Sequence, residues 1–336
     1  MTGKASKIRI LYMYKHNRSF VKGDLNMLEK HFDVVPSYFN IRNLFFLPFF
    51  VYKSDVTFIW FASYHAFIST IFAKLFSKKI IVVTGGYDVA CEKEINYGLL
   101  RNPLLKRMVK FVLTNVDKIL AVSEFNKHEI HKYLGIDEAE VIYNGIDAGK
   151  FYPQGNKENL VITVGFISWE NIKRKGLETF TKAAKYLPDT KFVVIGKAID
   201  DSVNYLRSIA SGNVEFAGFV SHRELLEYYQ KAKVYCQLSY HEGFGIALAE
   251  AMLCECVPVA TERGALPEVV GDTGFYTKYG DEKITADAIE KALHSQKGRK
   301  ARERVKANFS REIREEKLAR LIEELRIMNT AGFISR

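Results

Sequence analysis

His241-Glu242-Gly243-Phe244-Gly245-Ile246-Ala247-Leu248-Ala249-Glu250-Ala251-Met252 is preceded by Val234-Tyr235-Cys236-Gln237-Leu238, an apolar run with the character of a buried parallel strand. Beyond Gly243 and Gly245 the residues are mostly Ala, Leu and Met, which favour helix. A glycine-bearing turn from strand to helix leaves the backbone N–H groups of Phe244, Gly245 and Ile246 at a helix N-terminus. The partial positive charge there suits phosphate or hydroxyl oxygens. From Gly243 to Cys254 the sole charged residue is Glu250, so this helix is apolar nearly all round and is expected to be buried. A carboxylate in that setting needs a partner or an opening to a pocket. Either Glu242 suits the helix end while Glu250 meets a core arginine, or the two glutamates serve a ligand.

The same alternation of apolar run and helical pattern extends through the chain in both directions, the signature of doubly wound parallel sheets. The first half places strands at Ile8–Tyr14, Val34–Tyr38, Val56–Phe61, Ile80–Thr84, Lys118–Val122 and Glu140–Tyr143, with helices such as Phe67–Phe76 and Glu124–Leu134 between them. The second half repeats the logic at Leu160–Gly165, Lys191–Gly196, Val214–Ala217, Val234–Leu238 and Val257–Ala260, with helices starting near Gly176, Ser202, Ser221 and Gly245. A turn-rich passage, Asn144-Gly145-Ile146-Asp147 to Phe151-Tyr152-Pro153, separates the two series. The expected division is residues 1–150, residues 151–309, and a terminal amphipathic helix within 310–336 whose stripe is Ile313, Leu318, Leu321, Ile322 and Leu325.

Composition narrows the function classes. A chain of 336 residues, 48% hydrophobic and 26% charged, can bury the cores of two α/β domains. Four cysteines (Cys91, Cys236, Cys254, Cys256) lie in strand-like or helix-like segments and suggest a reducing interior, hence a cytoplasmic setting. No signal peptide or membrane-spanning run is read from the sequence. The net charge of +10 favours an anionic partner, but the basic residues are dispersed and form no nucleic-acid motif, so no nucleic acid is expected.

Two glutamates with seven residues between them, Gly-Phe-Gly after the first and Ala-Met after the second, resemble the donor-site motif of the retaining, nucleotide-sugar-dependent glycosyltransferases of GT-B fold. The resemblance spans nearly the whole chain, although its specific motifs cluster in the second half. It implies two Rossmann-like domains facing a cleft and a terminal helix that crosses back to the first domain. It also implies that Glu242 and the Gly243-Phe244-Gly245 backbone hold the donor sugar, and that Glu250 binds the ribose diol. Lys173-Arg174-Lys175-Gly176 reads either as a solvated basic turn or as cations beside a helix start that bind a diphosphate. The family resemblance favours the second reading, with Lys175 on the diphosphate and Arg174 as helper. Phe166 stands where relatives carry an arginine. Gly218-Phe219-Val220-Ser221 matches a turn that touches the nucleotide base through its backbone, with Glu224 at capping-box spacing from Ser221. Gly264-Ala265-Leu266-Pro267-Glu268 resembles the loop that follows the motif helix.

In the first half, Thr84-Gly85-Gly86-Tyr87-Asp88 follows a strand. Many relatives have a histidine at the position of Gly85, which leaves Asp88 as the polar candidate for catalysis beside Glu242 and Lys175, with Gly85, Gly86 and His65 on the acceptor side. His65 ends a strand in the run Trp60-Phe61-Ala62-Ser63-Tyr64-His65, and a lone histidine in such an aromatic setting is more often simply packed. Aromatic Leu44–Tyr52 and the basic, apolar Leu99–Leu113 suit either an anionic bilayer surface admitting a lipid-linked acceptor or buried helices. No Asp-x-Asp is present, so leaving-group stabilisation is assigned to Lys175, Arg174 and helix N-termini, with no metal and no cofactor. The expectation is therefore a glycosyltransferase that passes a sugar from a nucleotide donor to a glycan or lipid-linked acceptor. The alternatives are a binding subunit without turnover and, on poorer spacing, a nucleotide-sugar epimerase.

Overall fold

The computed structural model describes residues 7–334. They form two units: one of residues up to Cys91, Tyr97–Gly145 and Arg311 onward, the other of Glu92–Asn96 and Ile146–Ser310. The chain therefore changes unit between Gly145 and Ile146, and its C-terminal helix belongs to the first unit.

The first unit runs β1 (Arg9–Tyr14), α1 (Ser19–His31), β2 (Asp33–Tyr38), α2 (Ile41–Lys53), β3 (Val56–Trp60), α3 (Tyr64–Leu75), β4 (Lys79–Thr84), α4 (Pro103–Asn115), β5 (Lys118–Ala121), α5 (Glu124–Leu134) and β6 (Ala139–Val141). Its sheet is parallel with strand order β2-β1-β3-β4-β5-β6. Alternate residues point to opposite faces. Leu11, Met13, Ile59 and Val82 pack against Leu47, Val51, Ala66, Ala73, Val109 and Val112, so α2, α3 and α4 cover one face. Helix ends are locally encoded. The Asn102 side chain accepts from Leu104 N and Leu105 N ahead of Pro103, while Ser123 caps α5 and Gly135 closes it in a left-handed conformation.

The second unit runs β7 (Glu158–Val164), α6 (Trp169–Lys175), α7 (Leu177–Ala183), β8 (Lys191–Ile195), α8 (Ser202–Ile209), β9 (Val214–Gly218), α9 (His222–Lys231), β10 (Ala232–Gln237), α10 (Ile246–Leu253), β11 (Val257–Thr261), α11 (Leu266–Val270), β12 (Phe275–Thr277), α12 (Glu282–Leu293) and α13 (Gly298–Asn308). Its parallel strands are ordered β12-β11-β10-β7-β8-β9, so the order reverses between the neighbours β7 and β10. Strand β12 was not read from the sequence: at three residues it is too short to show a period.

Helix α14 (Arg311–Ile334) packs against α1 within the first unit. Leu318, Leu321, Ile322 and Leu325 of the expected stripe are buried, but Ile313 is only partly so. The stripe is completed by a charge: Arg314 is 2% exposed and meets Asp24 bidentately, Nε to Oδ1 at 2.6 Å and Nη2 to Oδ2 at 2.7 Å. Its Nη1 donates to Ile142 O and Tyr143 O, and Trp60 Nε1 donates to Asp24 Oδ2. A buried pair is tolerated when its remaining hydrogen-bonding capacity is used in this way.

Candidate functional site

Open α/β sheets bind ligands beyond the carboxyl ends of their strands, where the strand order reverses. In the second unit that point lies between β7 and β10. The backbone there is held by glycines that accept no substitute. Gly176 has φ +66°, and a Cβ on it would lie 2.2 Å from Leu238 O, which seats the end of α6 directly on the chain leaving β10. Tyr240 N donates to Arg174 O at 2.8 Å across the same seam. Gly264 has φ +61° and would drive a Cβ to 2.4 Å from Glu242 O, so the chain after β11 also presses on the glutamate's backbone. Ala265 N donates to that same Glu242 oxygen at 2.9 Å.

The seam joins two charges. Lys175 Nζ lies 2.7 Å from Glu242 Oε2, and both side chains are mostly buried. Burial pushes the Glu242 carboxyl up, but the charges of Lys175 and Arg174 and the Lys175 hydrogen bond outweigh it, holding the group below the usual carboxylate range. Burial lowers the Lys175 ammonium more than Glu242 raises it. Gln237 Nε2 donates to Glu242 Oε2 at 3.2 Å and to Ser239 Oγ at 2.8 Å, while Tyr235 OH donates to Gln237 Oε1 at 3.0 Å. Gln237 thus positions the glutamate. It was missed in the sequence, where the signal was a glutamine inside the apolar run Val234–Leu238.

Helix α10 begins at Ile246, and Gly245, with φ +98°, leaves its N-terminus without a side-chain cap. Phe244 turns its ring inward, edge-on to Phe309 at 5.5 Å, so only its backbone faces the turn. Among the described residues Glu250 meets no arginine. Its Oε2 accepts from Tyr229 OH at 3.2 Å, and burial pushes its carboxyl up to about 7 despite that bond.

A family model described as "Glycosyl transferases group 1" matches residues 150–311, and one described as "Glycosyltransferase Family 4" matches residues 28–150. The capsular polysaccharide biosynthesis glycosyltransferase CapM of Staphylococcus aureus is 30% identical over 280 residues, covering 73% of this chain and 70% of that protein. The chain belongs to the group 1 glycosyltransferases. An uncharacterized glycosyltransferase of Methanocaldococcus jannaschii is 30% identical over 198 residues, 58% of this chain and 54% of that protein, so the match spans about half of that relative's length. Among solved structures, Anabaena HepE in complex with UDP shares the fold with a TM-score of 0.79 at 15% identity, covering 95% of this chain and 100% of that one. The two Rossmann-like units are those of the GT-B architecture.

The other residues expected at the site of this glycosyltransferase fall on defined elements. Lys173-Arg174-Lys175 is no loop. It is the last turn of α6, which Ser168 starts by accepting from Asn171 N and which Gly176 stops with its left-handed backbone. Arg174 is held by its own helix, with Nε and Nη2 on Asn171 Oδ1 at 3.1 and 2.7 Å. At the end of β9 the Phe219 side chain is exposed, and the following Ser221–Glu224 capping box is formed. Glu268 lies in the first turn of the five-residue α11.

In the first unit Asp88 does not project as a free acid. It is buried, and it accepts from Ala62 N at 2.9 Å, Gly85 N at 3.0 Å and Gly86 N at 3.1 Å, so it fastens the ends of β3 and β4 together. His65 is packed as well. Its Nε2 donates to Trp60 O at 2.8 Å, which leaves Nδ1 to accept from Ser63 Oγ at 2.7 Å, and burial lowers it to about 4. A Cβ on Gly85 would lie 2.3 Å from the Phe61 ring, and Phe61 itself has φ +74°. The ring therefore fills the space a histidine at Gly85 needs. Among the described residues no helix is long and apolar enough to cross a membrane.

Proposed function

We propose that this glycosyltransferase moves a sugar from a nucleotide-sugar donor to an acceptor hydroxyl, with retention of anomeric configuration and without a metal ion. The Lys175–Glu242 pair at the β7/β10 switch point carries this reading. Of the three N–H donors on Lys175 one is used by Glu242, and the others suit a diphosphate. The uncapped N-terminus of α10, with Gly245 and Ile246, adds a partial positive charge for the same anion. Arg174 adds a second positive charge beside the diphosphate as a helper to Lys175. Glu242 and the Phe244 backbone hold the sugar, Glu250 receives the ribose hydroxyls, and the turn at Phe219 meets the base.

In transfer, the bond from the anomeric carbon to the phosphate oxygen breaks and a bond from the acceptor oxygen to that carbon forms on the same face. The acceptor proton passes to the departing phosphate, so no side-chain nucleophile is needed. Lys175 and the helix N-terminus stabilise the negative charge that grows on the diphosphate, and Glu242 stabilises the positive charge at the sugar. A glycan or lipid-linked hydroxyl is the proposed acceptor. The Phe61 ring beside Gly85 favours one second reading, a subunit that binds the donor without turning it over.

Incubation with a panel of nucleotide sugars and acceptors tests the proposal, with nucleotide release followed in excess chelator and the product anomer read by NMR. Release in chelator with a retained anomer is the expected result. Binding without release would favour the subunit, and an altered sugar still attached to its nucleotide would indicate an epimerase. Loss of turnover restored by magnesium or manganese would overturn metal independence.

A further inference from the structure

We propose that the outer face of α2, α3 and α4 is a docking surface for an anionic lipid bilayer. The proposal concerns binding by the first unit and goes beyond the donor-site reading. Each of these helices puts one side into the core and leaves large apolar groups on the other. Helix α2 buries Leu47 and Val51, while Phe45, Phe49 and Tyr52, at helical spacing, face outward with Phe46. Helix α3 buries Ala66 and Ala73 and exposes Ile71 and Leu75, and α4 buries Val109 and Val112 and exposes Leu104 and Phe111. Phe45 is 80% exposed, Leu104 71% and Leu75 69%. Half-buried rings join the helices beneath this face, Phe76 to Tyr52 at 5.6 Å and Phe67 to Phe111 at 5.1 Å. A row of exposed apolar side chains spanning three packed helices marks an interaction surface.

Charge decides what covers it. Neither α2, α3 nor α4 contains an Asp or Glu, yet together they carry Arg42, Lys53, Lys74, Lys106, Arg107 and Lys110. Lys53 lies over the Phe49 ring at 5.9 Å, and Lys78, just beyond α3, over the Tyr52 ring at 5.7 Å. Aromatic side chains among long cationic ones match the interface of an anionic bilayer, where rings enter the acyl boundary and ammonium groups stay with the phosphates. A second copy docking by the same face would set these cations against their own equivalents, which is unfavourable. None of the three helices is long and apolar enough to span a bilayer, so the contact lies in the membrane plane.

The test is flotation of the full chain with vesicles of equal phosphatidylglycerol and phosphatidylcholine, against phosphatidylcholine alone, over rising salt. Binding is expected to the anionic vesicles at low salt, to weaken as salt rises, and to drop at least about tenfold in Phe45→Ser/Phe49→Ser and in Lys53→Glu/Lys110→Glu. These positions are exposed, and circular dichroism verifies that the variants fold. In a Phe45→Trp variant, brominated lipid should quench the added emission. The proposal fails if the anionic vesicles do not float the chain at low salt, if both double variants float unchanged, or if the added emission of Phe45→Trp ignores brominated lipid. Lipid-free self-association abolished by Phe45→Ser/Phe49→Ser would also overturn it, by showing that another protein surface covers the face. Transfer to a water-soluble acceptor should be unchanged in these variants, so loss of flotation with retained transfer tests the surface separately from the donor site.

Discussion

Lys175 Nζ lies 2.7 Å from Glu242 Oε2, which closes an ion pair between the segments that follow the adjacent strands β7 and β10. The two partners are expected to separate on substitution. Glu242→Gln keeps the shape and the hydrogen bond from Gln237 but removes the charge that answers the reacting sugar. Turnover should fall about 100-fold while nucleoside diphosphate affinity changes little. Lys175→Ala should weaken nucleoside diphosphate binding about tenfold to a hundredfold, the equivalent of roughly 1.5–3 kcal/mol for a charged hydrogen bond. Calorimetry with the nucleotide and a transfer assay on both variants decide the assignment. Lost nucleotide affinity in Glu242→Gln with retained affinity in Lys175→Ala would reverse it.

Glu250 gives a pH signature. Its carboxyl titrates at about 7 in the fold against an ordinary 4.5, because burial disfavours the charged form. The stability it contributes is full below about 4.5 and is lost as pH rises through 7. Glu250→Gln, neutral throughout, should therefore match the parent chain near pH 4.5 and be more stable at pH 8 by up to about 3 kcal/mol in denaturant unfolding. If the carboxylate binds the ribose diol, nucleoside diphosphate affinity in the parent should also strengthen from pH 6 to pH 8 more than in Glu250→Gln. Parallel pH profiles for the two proteins would exclude that contact.

The place of Gly85 is set by Phe61. Gly85→His alone should destabilise the first unit by about 1–3 kcal/mol, since its Cβ meets the ring at 2.3 Å. Phe61→Gly removes the ring and relieves the φ of +74°, so the double variant should recover much of the loss. A double variant no more stable than Gly85→His in thermal melts would show that the ring is not the obstacle.

The Asp24–Arg314 pair makes the C-terminal helix part of the first unit's core. Arg314→Met leaves Asp24 buried without its cation, and about 3–5 kcal/mol of stability should be lost. Asp24→Asn/Arg314→Met removes both charges and should cost less than Arg314→Met alone. A double-mutant cycle by chemical denaturation reads this directly, and strictly additive losses would mean that the pair is not coupled.

The alternation of apolar runs with helical patterns was enough to read two parallel α/β series, because strands buried on both faces and amphipathic helices leave periods that survive in one dimension. The glycine turn ending at Gly245 and the Ser221–Glu224 capping box were legible too, because each is a local feature whose chemistry is written within a few residues. Partnership was not legible. Asp88 looked like a free polar group, yet in the fold backbone N–H groups take its carboxylate, while His65 is packed with a carbonyl on its imidazole, and both side chains are buried. Ser168 and Gly176 turned the basic run into a helix end, a change that rests on two caps flanking it.

Taken alone, the sequence determined the fold class and the glycine-turn-helix that presents Glu242 and Glu250, since these follow from short-range periodicity and backbone sterics. Only the tertiary structure decided which charges meet. Lys175 reaches Glu242 across 67 positions, and Arg314 reaches Asp24 across 290. Neither pairing leaves a trace in local composition, because each depends on the register and order of strands brought together by packing. The same holds for the apolar face of α2, α3 and α4: in sequence the first and last read either as a bilayer surface or as buried helices, and only the alignment of all three on one face of the sheet shows how much of that surface remains uncovered.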